Sequence, residues 1–149
     1  MTSKKVAIIG GGLAGSEAAW QLSRMGIPSN LYEMRPSKKT PAHKTSLLAE
    51  LVCSNSFRSD DDINNAVGQL HWEMRAADGL IISMGDKARI PAGSAMAVDR
   101  MKFSSEITEL MKNNSFINII QKEITELKQL TEDHVIIATG PLTSKKLAE

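Results

Sequence analysis

Three glycines stand at the spacing that brings a peptide backbone close to a phosphate group. Gly10, Gly12 and Gly15 form the pattern G-x-G-x-x-G within "IIGGGLAGSEAA". In a strand-to-helix turn, the first glycine permits the sharp turn, the second lets the backbone approach a pyrophosphate, and the third lets helix and strand pack closely. The pyrophosphate then lies against free N–H groups at the positive end of the helix. The pattern therefore predicts a dinucleotide site.

An acidic residue follows the glycines at a matching distance. Glu33 ends the run "SNLYE", 18 residues beyond Gly15, where a carboxylate can accept hydrogen bonds from the adenosine ribose hydroxyls. The acid favours FAD or NAD over NADP, but Arg35 is a cation of the kind that accommodates a 2′-phosphate, so this choice stays open. The predicted cofactor-binding residues are Gly10, Gly11, Gly12, Leu13, Ala14, Gly15 and Glu33.

The chain has one cysteine, and its neighbours suit thiol chemistry. Cys53 lies in "CSNSFRS", where small polar donors and the cation Arg58 could stabilise a thiolate. A lone cysteine is more often a small buried hydrophobic residue, so packing is the competing interpretation. One cysteine cannot form an intramolecular disulfide or a metal cluster by itself, which favours a reducing compartment and predicts no metal site.

The composition is that of a globular chain without membrane segments. Of 149 residues, 42% are hydrophobic and 23% are charged. The apolar runs are far shorter than the ~18 residues that cross a bilayer, and no charged and apolar leader opens the chain. We therefore expect a cytoplasmic location. Residues 1–58 carry eight Lys and Arg against three Glu, which suits either an anionic ligand near the glycines or a solvated face.

The elements that must position these residues follow from the apolar pattern. "VAIIG" predicts a buried parallel strand, and "SNLYE" predicts a second one. Between them, apolar residues at helical spacing predict a helix that ends at Gly26; they are Leu13, Ala14, Ala18, Ala19 and Leu22. Strand, turn, helix and strand form a βαβ unit, and "HVIIATG" predicts a further strand. The pattern indicates an α/β fold with a parallel sheet.

Between these strands the pattern is mixed. "RPSKKTPAHKTS" predicts a long loop that carries Lys38, Lys39, Lys44 and His43. "SLLAELV" predicts a helix, residues 65–81 predict a single helix with His71 and Trp72 packed inward, and "FSSEITELMKN" predicts another helix. "ARIPAGSAMAVD" predicts two short extended pieces, "FINIIQKEITELKQL" predicts strand, turn and strand, and "SKKLAE" a final helical start.

Five blocks of sequence resemble one enzyme family in order. They are "GGGLAGSEAAWQL", "LYEMRPSKKTPAHKT", "LAELVCSNSFRS", "IPAGSAMAVDR" and "VIIATGPLTS", and together they resemble the N-terminal region of the folate- and FAD-dependent tRNA uracil-5 methyltransferases. The glucose-inhibited division protein A family of tRNA-modifying flavoproteins shares the first block and is more distant. The resemblance implies a Rossmann-like FAD-binding fold of glutathione-reductase type that is truncated here. Residues 1–149 would be its N-terminal part, without the later flavin segment and the second domain.

The resemblance also implies a reaction. NAD(P)H reduces the flavin, methylenetetrahydrofolate donates a one-carbon unit to it, and that unit passes to carbon 5 of a uracil in tRNA. Cys53 is then a candidate catalytic residue near the flavin, as nucleophile at carbon 6 or base at carbon 5, with a cysteine outside this chain as the rival. The alternatives are the same chemistry on ribosomal RNA, a division-protein-type flavoprotein that needs no folate, and a bare nucleotide-binding module. The 149 residues alone are expected to be inactive.

The resemblance also makes the loop "RPSKKTPAHKTS" a candidate RNA path. Lys38, Lys39 and Lys44 are candidate RNA phosphate contacts or solvated side chains. His43 is a candidate general acid or base, an RNA phosphate contact or a solvated side chain.

Overall fold

A computed structural model describes residues 5–149. It has seven strands and five α-helices in the described part of the chain. In chain order they are β1 (Val6–Ile9), α1 (Leu13–Arg24), β2 (Ser29–Glu33), β3 (Ser56–Ser59), α2 (Ala66–Ala76), α3 (Leu80–Lys87), β4 (Arg89–Ile90), β5 (Ala95–Val98), α4 (Arg100–Lys112), β6 (Ile117–Gln121), β7 (His134–Ile137) and α5 (Lys145–Ala148). Two short 3₁₀ turns span Leu127–Gln129 and Gly140–Leu142.

Four parallel strands form the main sheet, in the order β6-β2-β1-β7. Val6 lies opposite both Ser29 and His134, so β1 is the central strand that pairs with β2 and β7. All four residues of β1 are buried, as expected for a parallel strand covered on both faces. The α/β fold class predicted from the sequence is confirmed, and the carboxyl ends of the strands meet at one edge of the sheet.

The long excursion between β2 and β6 forms a second layer. Strands β3, β5 and β4 make a small antiparallel sheet in that order, and the two extended pieces predicted in "ARIPAGSAMAVD" are confirmed as β4 and β5. Helix α4 packs against α3 and β6, and its residues Phe103, Ile107 and Met111 are completely buried. The ring of Phe103 meets Phe57 edge to face at 5.6 Å. The core therefore joins both sheets.

Helix α1 buries a narrower set of residues than its apolar pattern predicts. Its buried positions are Gly15, Ser16, Ala19 and Ser23, all of them small. Of the predicted face, only Ala19 is fully buried, and Ala14 is exposed. Small side chains let the helix axis approach the sheet closely, which holds the start of α1 against the end of β1.

The segment "SLLAELV" is irregular, so the predicted helix is wrong. Leu48 and Ala49 are buried, but their backbone groups bond to other elements. The Leu48 N–H donates to Thr108 Oγ1 at 2.9 Å, and the Ala49 N–H donates to the Gly11 carbonyl at 2.9 Å. Ala49 also has a φ of 50°, which a right-handed helix does not permit. Tertiary hydrogen bonds thus override the helical pattern and tie this segment to the glycine turn.

The predicted single helix over residues 65–81 is two helices. The N–H of Gly79 donates to Met74 O at 2.8 Å and that of Asp78 donates to Arg75 O at 3.0 Å, which is the Schellman pattern that ends a helix. Asp78 takes the left-handed conformation with a φ of 52°. Helix α3 then starts afresh, and the Glu17 carboxylate of α1 accepts hydrogen bonds from its first two N–H groups.

His71 and Trp72 of α2, both predicted to pack inward, differ in burial. His71 is buried as predicted, whereas Trp72 is 52% exposed, so its predicted packing is wrong. The second strand predicted in residues 116–130 is absent from the described structure, which has extended loop and a 3₁₀ turn there. The strand predicted in "HVIIATG" is confirmed as β7. None of the helices among residues 5–149 has the length and apolar character needed to span a bilayer.

A charged cluster joins the second sheet to α2 and α3. The Asp60 carboxylate, after β3, accepts hydrogen bonds from Arg75 Nη2 at 3.0 Å and Arg89 Nη1 at 2.6 Å, and lies 2.9 Å from His71 Nδ1. Arg75 Nη2 also lies 2.7 Å from Asp86 Oδ1 of α3. Burial alone would raise the pKa of Asp60, but the hydrogen bonds from His71, Arg89 and Arg75 hold it below its ordinary value. The carboxylate therefore stays ionised and links the end of β3 to α2 and β4, and Arg75 extends the cluster to α3.

Candidate functional site

The glycine turn between β1 and α1 is built as the sequence predicts. Gly10 has a φ of +103°, and a Cβ there would lie 2.8 Å from the Ala138 carbonyl oxygen, so only glycine fits. A Cβ on Gly15 would lie 1.8 Å from the Gly10 carbonyl oxygen. Gly10 therefore makes the turn possible, and Gly15 lets the first turn of α1 rest on the end of β1.

Gly12 faces open space at the start of α1. A Cβ built on this residue meets no atom within 4 Å, so its lack of a side chain is not required by the packing of the described residues. Within residues 5–149, no side chain caps this helix end, and the N–H groups of Leu13 and Ala14 have no acceptor. Free N–H groups and the positive end of the helix dipole attract an anion to this position.

These groups open into a cleft at the carboxyl edge of the parallel sheet. Its volume is about 310 Å³. It lies at the end of β1, where the strand order reverses with β2 on one side and β7 on the other, the usual ligand position in such sheets. Six of the seven predicted cofactor-binding residues line it: Gly10, Gly11, Gly12, Leu13, Ala14 and Glu33. Gly15 does not line it, because it is buried behind the turn. The structure therefore brings the predicted residues together.

Glu33 is held at the end of β2 by four hydrogen bonds. Its Oε1 accepts from the backbone N–H and the Nε of Arg35, both at 2.9 Å, and its Oε2 accepts from Arg35 Nη2 at 3.0 Å. The Gly11 N–H donates to the same Oε2 at 2.9 Å. These four donors use the acceptor positions of a carboxylate, so a ribose hydroxyl has to replace or share one of them.

Glu50 completes this buried group from the loop that follows β2. Its Oε2 lies 3.0 Å from Arg35 Nη1, and its Oε1 accepts from the N–H groups of Lys44 and Thr45 at 2.8 and 3.2 Å. The Arg35 side chain is 1% exposed, and its guanidinium forms ion pairs with both carboxylates. Sequence reasoning missed Glu50, because nothing in the spacing between residues 33 and 50 places it beside Arg35.

The buried carboxylates remain ionised despite the loss of water. Burial alone would raise the pKa of Glu33, but the hydrogen bonds and charge of Arg35 and the Gly11 N–H bring it below the ordinary value. Burial acts the same way on Glu50, and the Lys44 and Thr45 N–H groups with Arg35 lower its pKa. Both acids are therefore hydrogen-bond acceptors at neutral pH.

The loop "RPSKKTPAHKTS" contributes less unpaired positive charge to the cleft than its sequence suggests. His43 lines the cleft, its Nδ1 lies 2.8 Å from Thr40 Oγ1, and burial together with the Arg35 charge lowers its pKa. Lys38 forms an ion pair with Glu123, so its charge is engaged. Further lining residues that the sequence did not indicate are Val52, Lys122, Glu123 and Ile124. The last three directly follow β6, and its parallel pairing with β2 puts them at the same edge.

Cys53 lies outside the residues that line the cleft, one position beyond Val52, which lines it. Its side chain is exposed, and its carbonyl oxygen accepts a hydrogen bond from Arg100 Nη2 at 3.3 Å. The packing interpretation of this cysteine is therefore wrong for the described residues. Its catalytic role stays a prediction.

The arrangement fits the adenosine diphosphate part of a dinucleotide. The open space at Gly12 and the free N–H groups of Leu13 and Ala14 suit a pyrophosphate, and Glu33 supplies acceptors one strand away. A volume of about 310 Å³ is at the lower end of the range for drug-sized ligands. FAD exceeds that size, so only part of such a molecule fits within this cleft.

Comparisons with known proteins agree with the geometry. Residues 5–148 match the model of the family described as glucose inhibited division protein A. The chain is 58% identical over 99% of its length to the methylenetetrahydrofolate–tRNA-(uracil-5-)-methyltransferase TrmFO of Bartonella henselae. It is 59% identical over 94% of its length to the enzyme of that name from Paracoccus denitrificans. It covers 31% of each of these relatives, about a third of their length.

A solved structure that the chain matches in part is that of the GidA-related protein from Thermus thermophilus. It matches with a TM-score of 0.44 and 14% identity, over 83% of this chain and 40% of that chain. The sequence relatives confirm the family resemblance predicted from the five blocks.

Proposed function

Because the chain belongs to the glucose inhibited division protein A family, we propose that it forms the part of a flavoenzyme that binds the adenosine diphosphate half of FAD. The observation that carries this proposal is the glycine turn, where Gly12 leaves open space beside an uncapped helix end. Leu13 and Ala14 donate N–H groups to the pyrophosphate, and Glu33 accepts from the ribose hydroxyls. Bound FAD supplies the hydride and one-carbon chemistry that side chains lack.

We further propose that the whole enzyme is a tRNA uracil-5 methyltransferase with methylenetetrahydrofolate as one-carbon donor and NAD(P)H as reductant. The names of relatives at 58–59% identity support this reaction. With tRNA as the substrate, we expect the enzyme to act in the cytoplasm. Ribosomal RNA is the alternative substrate for the same chemistry, since no described residue in the cleft reads a base.

Cys53 is the residue of this chain that we propose for the RNA step. Its thiol is exposed and lies next to Val52 at the wall of the cleft, so a uracil can reach it from solvent. As a thiolate it adds to carbon 6 of the uracil, or it removes the proton from carbon 5 once carbon 5 carries the new group.

A second candidate is a tRNA-modifying flavoprotein of the division-protein type, which uses FAD without methyl transfer to carbon 5. The description of the matching family favours it, whereas the names of the similar relatives favour methylation. The two candidates share the FAD site and differ in the fate of the uridine.

A chimera tests the proposal. This chain replaces the matching third of the Bartonella henselae protein, and the purified chimera is incubated with methylenetetrahydrofolate, NADPH and unmodified tRNA. We expect bound flavin and 5-methyluridine in the digested tRNA, measured by mass spectrometry, and neither with Gly12→Val in the same chimera. Bound flavin without 5-methyluridine would favour the second candidate. A folded chimera that holds no flavin would contradict the proposed cleft.

A further inference from the structure

Arg35 is the largest fully buried side chain among residues 5–149, and it is enclosed by acids. Nε and Nη2 bind Glu33, and Nη1 binds Glu50 at 3.0 Å. One guanidinium thus faces two carboxylates, and the group as a whole carries one net negative charge. In the sequence, Arg35 is the cation that could accommodate a 2′-phosphate of the ligand. In the structure its guanidinium is already paired with Glu33 and Glu50.

Glu50 cannot follow Arg35 toward a ligand, because the backbone holds it. Its Oε1 accepts hydrogen bonds from the N–H groups of Lys44 and Thr45, and its side chain is 11% exposed. The preceding residue, Ala49, is buried and bonded to the Gly11 carbonyl. Glu50 lines the same cleft as Glu33 and Arg35, and it is a fixed acceptor that holds Nη1 of Arg35 in an ion pair.

We infer that Glu50 is a specificity-determining positioning residue. Because Glu50 holds Arg35 in an ion pair within the protein, Arg35 does not bind a phosphate of the ligand. The cleft therefore accepts an adenosine ribose with a free 2′-hydroxyl and excludes one with a 2′-phosphate. This inference rests on the proposed function. A phosphate here meets two carboxylates and one engaged guanidinium, and juxtaposed like charges weaken binding. The other cation of the cleft, Lys122, is exposed at its rim. An NADPH cosubstrate then has to bind elsewhere in the enzyme.

The test compares two ligands that differ only in the 2′-group. The ¹⁵N-labelled 149-residue chain is titrated with ADP-ribose and with its 2′-phosphate at millimolar concentrations, and amide shifts of the glycine turn report binding. We expect the 2′-phosphate to bind at least about tenfold more weakly. Glu50→Gln keeps an acceptor for the loop but loses the charge. In this variant the ratio of the affinity for ADP-ribose to that for its 2′-phosphate should fall at least threefold. Glu50→Asp should preserve the wild-type ratio.

A matched control removes a charge at a distance. Glu109→Gln changes an exposed acid on α4 and should leave the ratio as in the wild type. Equal wild-type affinities for the two ligands would overturn the inference and leave the proposed function standing. A ratio unchanged in folded Glu50→Gln would remove Glu50 from the role. If neither ligand shifts the glycine-turn amides, the proposed function fails together with the inference. Where a variant does not fold, equal wild-type affinities still overturn the inference.

Discussion

At the scale of single residues, the glycines of the turn have different tasks that the pattern alone does not separate. Gly15 is required by the protein itself, since a Cβ there would lie 1.8 Å from a backbone oxygen. Gly12 is not, since a Cβ there meets nothing within 4 Å. A glycine that packing does not require, at an uncapped helix start, points to a ligand that does require it.

Two substitutions in the turn should therefore separate folding from binding. Gly12→Val should change the free energy of unfolding by no more than about 1 kcal/mol, the scale of a helix-cap effect, and should abolish flavin binding in the chimera. Gly15→Ala should cost about 1–3 kcal/mol or more through overpacking. Urea denaturation of the chain and flavin absorbance of the chimera measure the two effects. A Gly12→Val chimera that keeps its full flavin would refute the assignment of this turn.

A second prediction at the residue scale concerns Cys53, whose exposed thiol can be removed with little effect on stability. Because the thiol is exposed, Cys53→Ala should leave the free energy of unfolding within about 0.5 kcal/mol. In the chimera, flavin reduction by NADPH should persist, while methyl transfer should fall about a hundredfold or more, the scale of a lost acid–base group. Both rates are normalised to bound FAD. Unchanged methylation would exclude Cys53 from the chemistry, and loss of both rates would indicate damage at the flavin site.

At the scale of elements, hydrogen bonds between distant segments determine the conformation of segments whose local sequence pattern predicts a different one. The βαβ unit was predictable, because its strands are buried on both faces and its glycines punctuate the turn. The helix predicted in "SLLAELV" was not realised, because Gly11 and Thr108 offer its backbone other partners. Such partners are distant in sequence and leave no periodic signal. The same holds for Glu50, which reaches Arg35 only through the folded loop.

The charged cluster around Asp60 predicts how the elements of the second layer respond to acid. The pKa of Asp60 lies below its ordinary value of 3.8 in the folded protein, so the unfolded chain binds the proton more tightly. The stabilisation is therefore complete above about pH 5 and is lost as the pH falls through the folded pKa. Asp60→Asn should cost about 1–3 kcal/mol at pH 7, and the difference from wild type should shrink toward pH 3.

Urea denaturation at pH 7 and pH 3 measures this dependence. Asp62→Asn, at the exposed neighbouring acid, is the matched control and should have little effect at either pH. If Asp60→Asn costs as much at pH 3 as at pH 7, the carboxylate charge does not join these elements.

At the scale of the whole molecule, the parallel sheet explains why a site could be predicted from so few residues. Parallel strands bring their carboxyl ends to one edge, so the glycine turn after β1 and Glu33 at the end of β2 had to meet. The residues after β6 meet them there as well, because β6 pairs with β2. The sequence did not predict that the carboxylate oxygens of Glu33 already accept hydrogen bonds from Arg35 and Gly11. Only the folded structure shows these bonds.

The central claim is that this edge of the sheet binds the adenosine diphosphate half of FAD. A crystal structure of the chimera purified with its flavin tests it most directly. We predict pyrophosphate oxygens within about 3.2 Å of the Leu13 or Ala14 nitrogen, a ribose hydroxyl on the Glu33 carboxylate, and Arg35 still bonded to Glu50. A flavin whose pyrophosphate lies away from the start of α1 would contradict the claim.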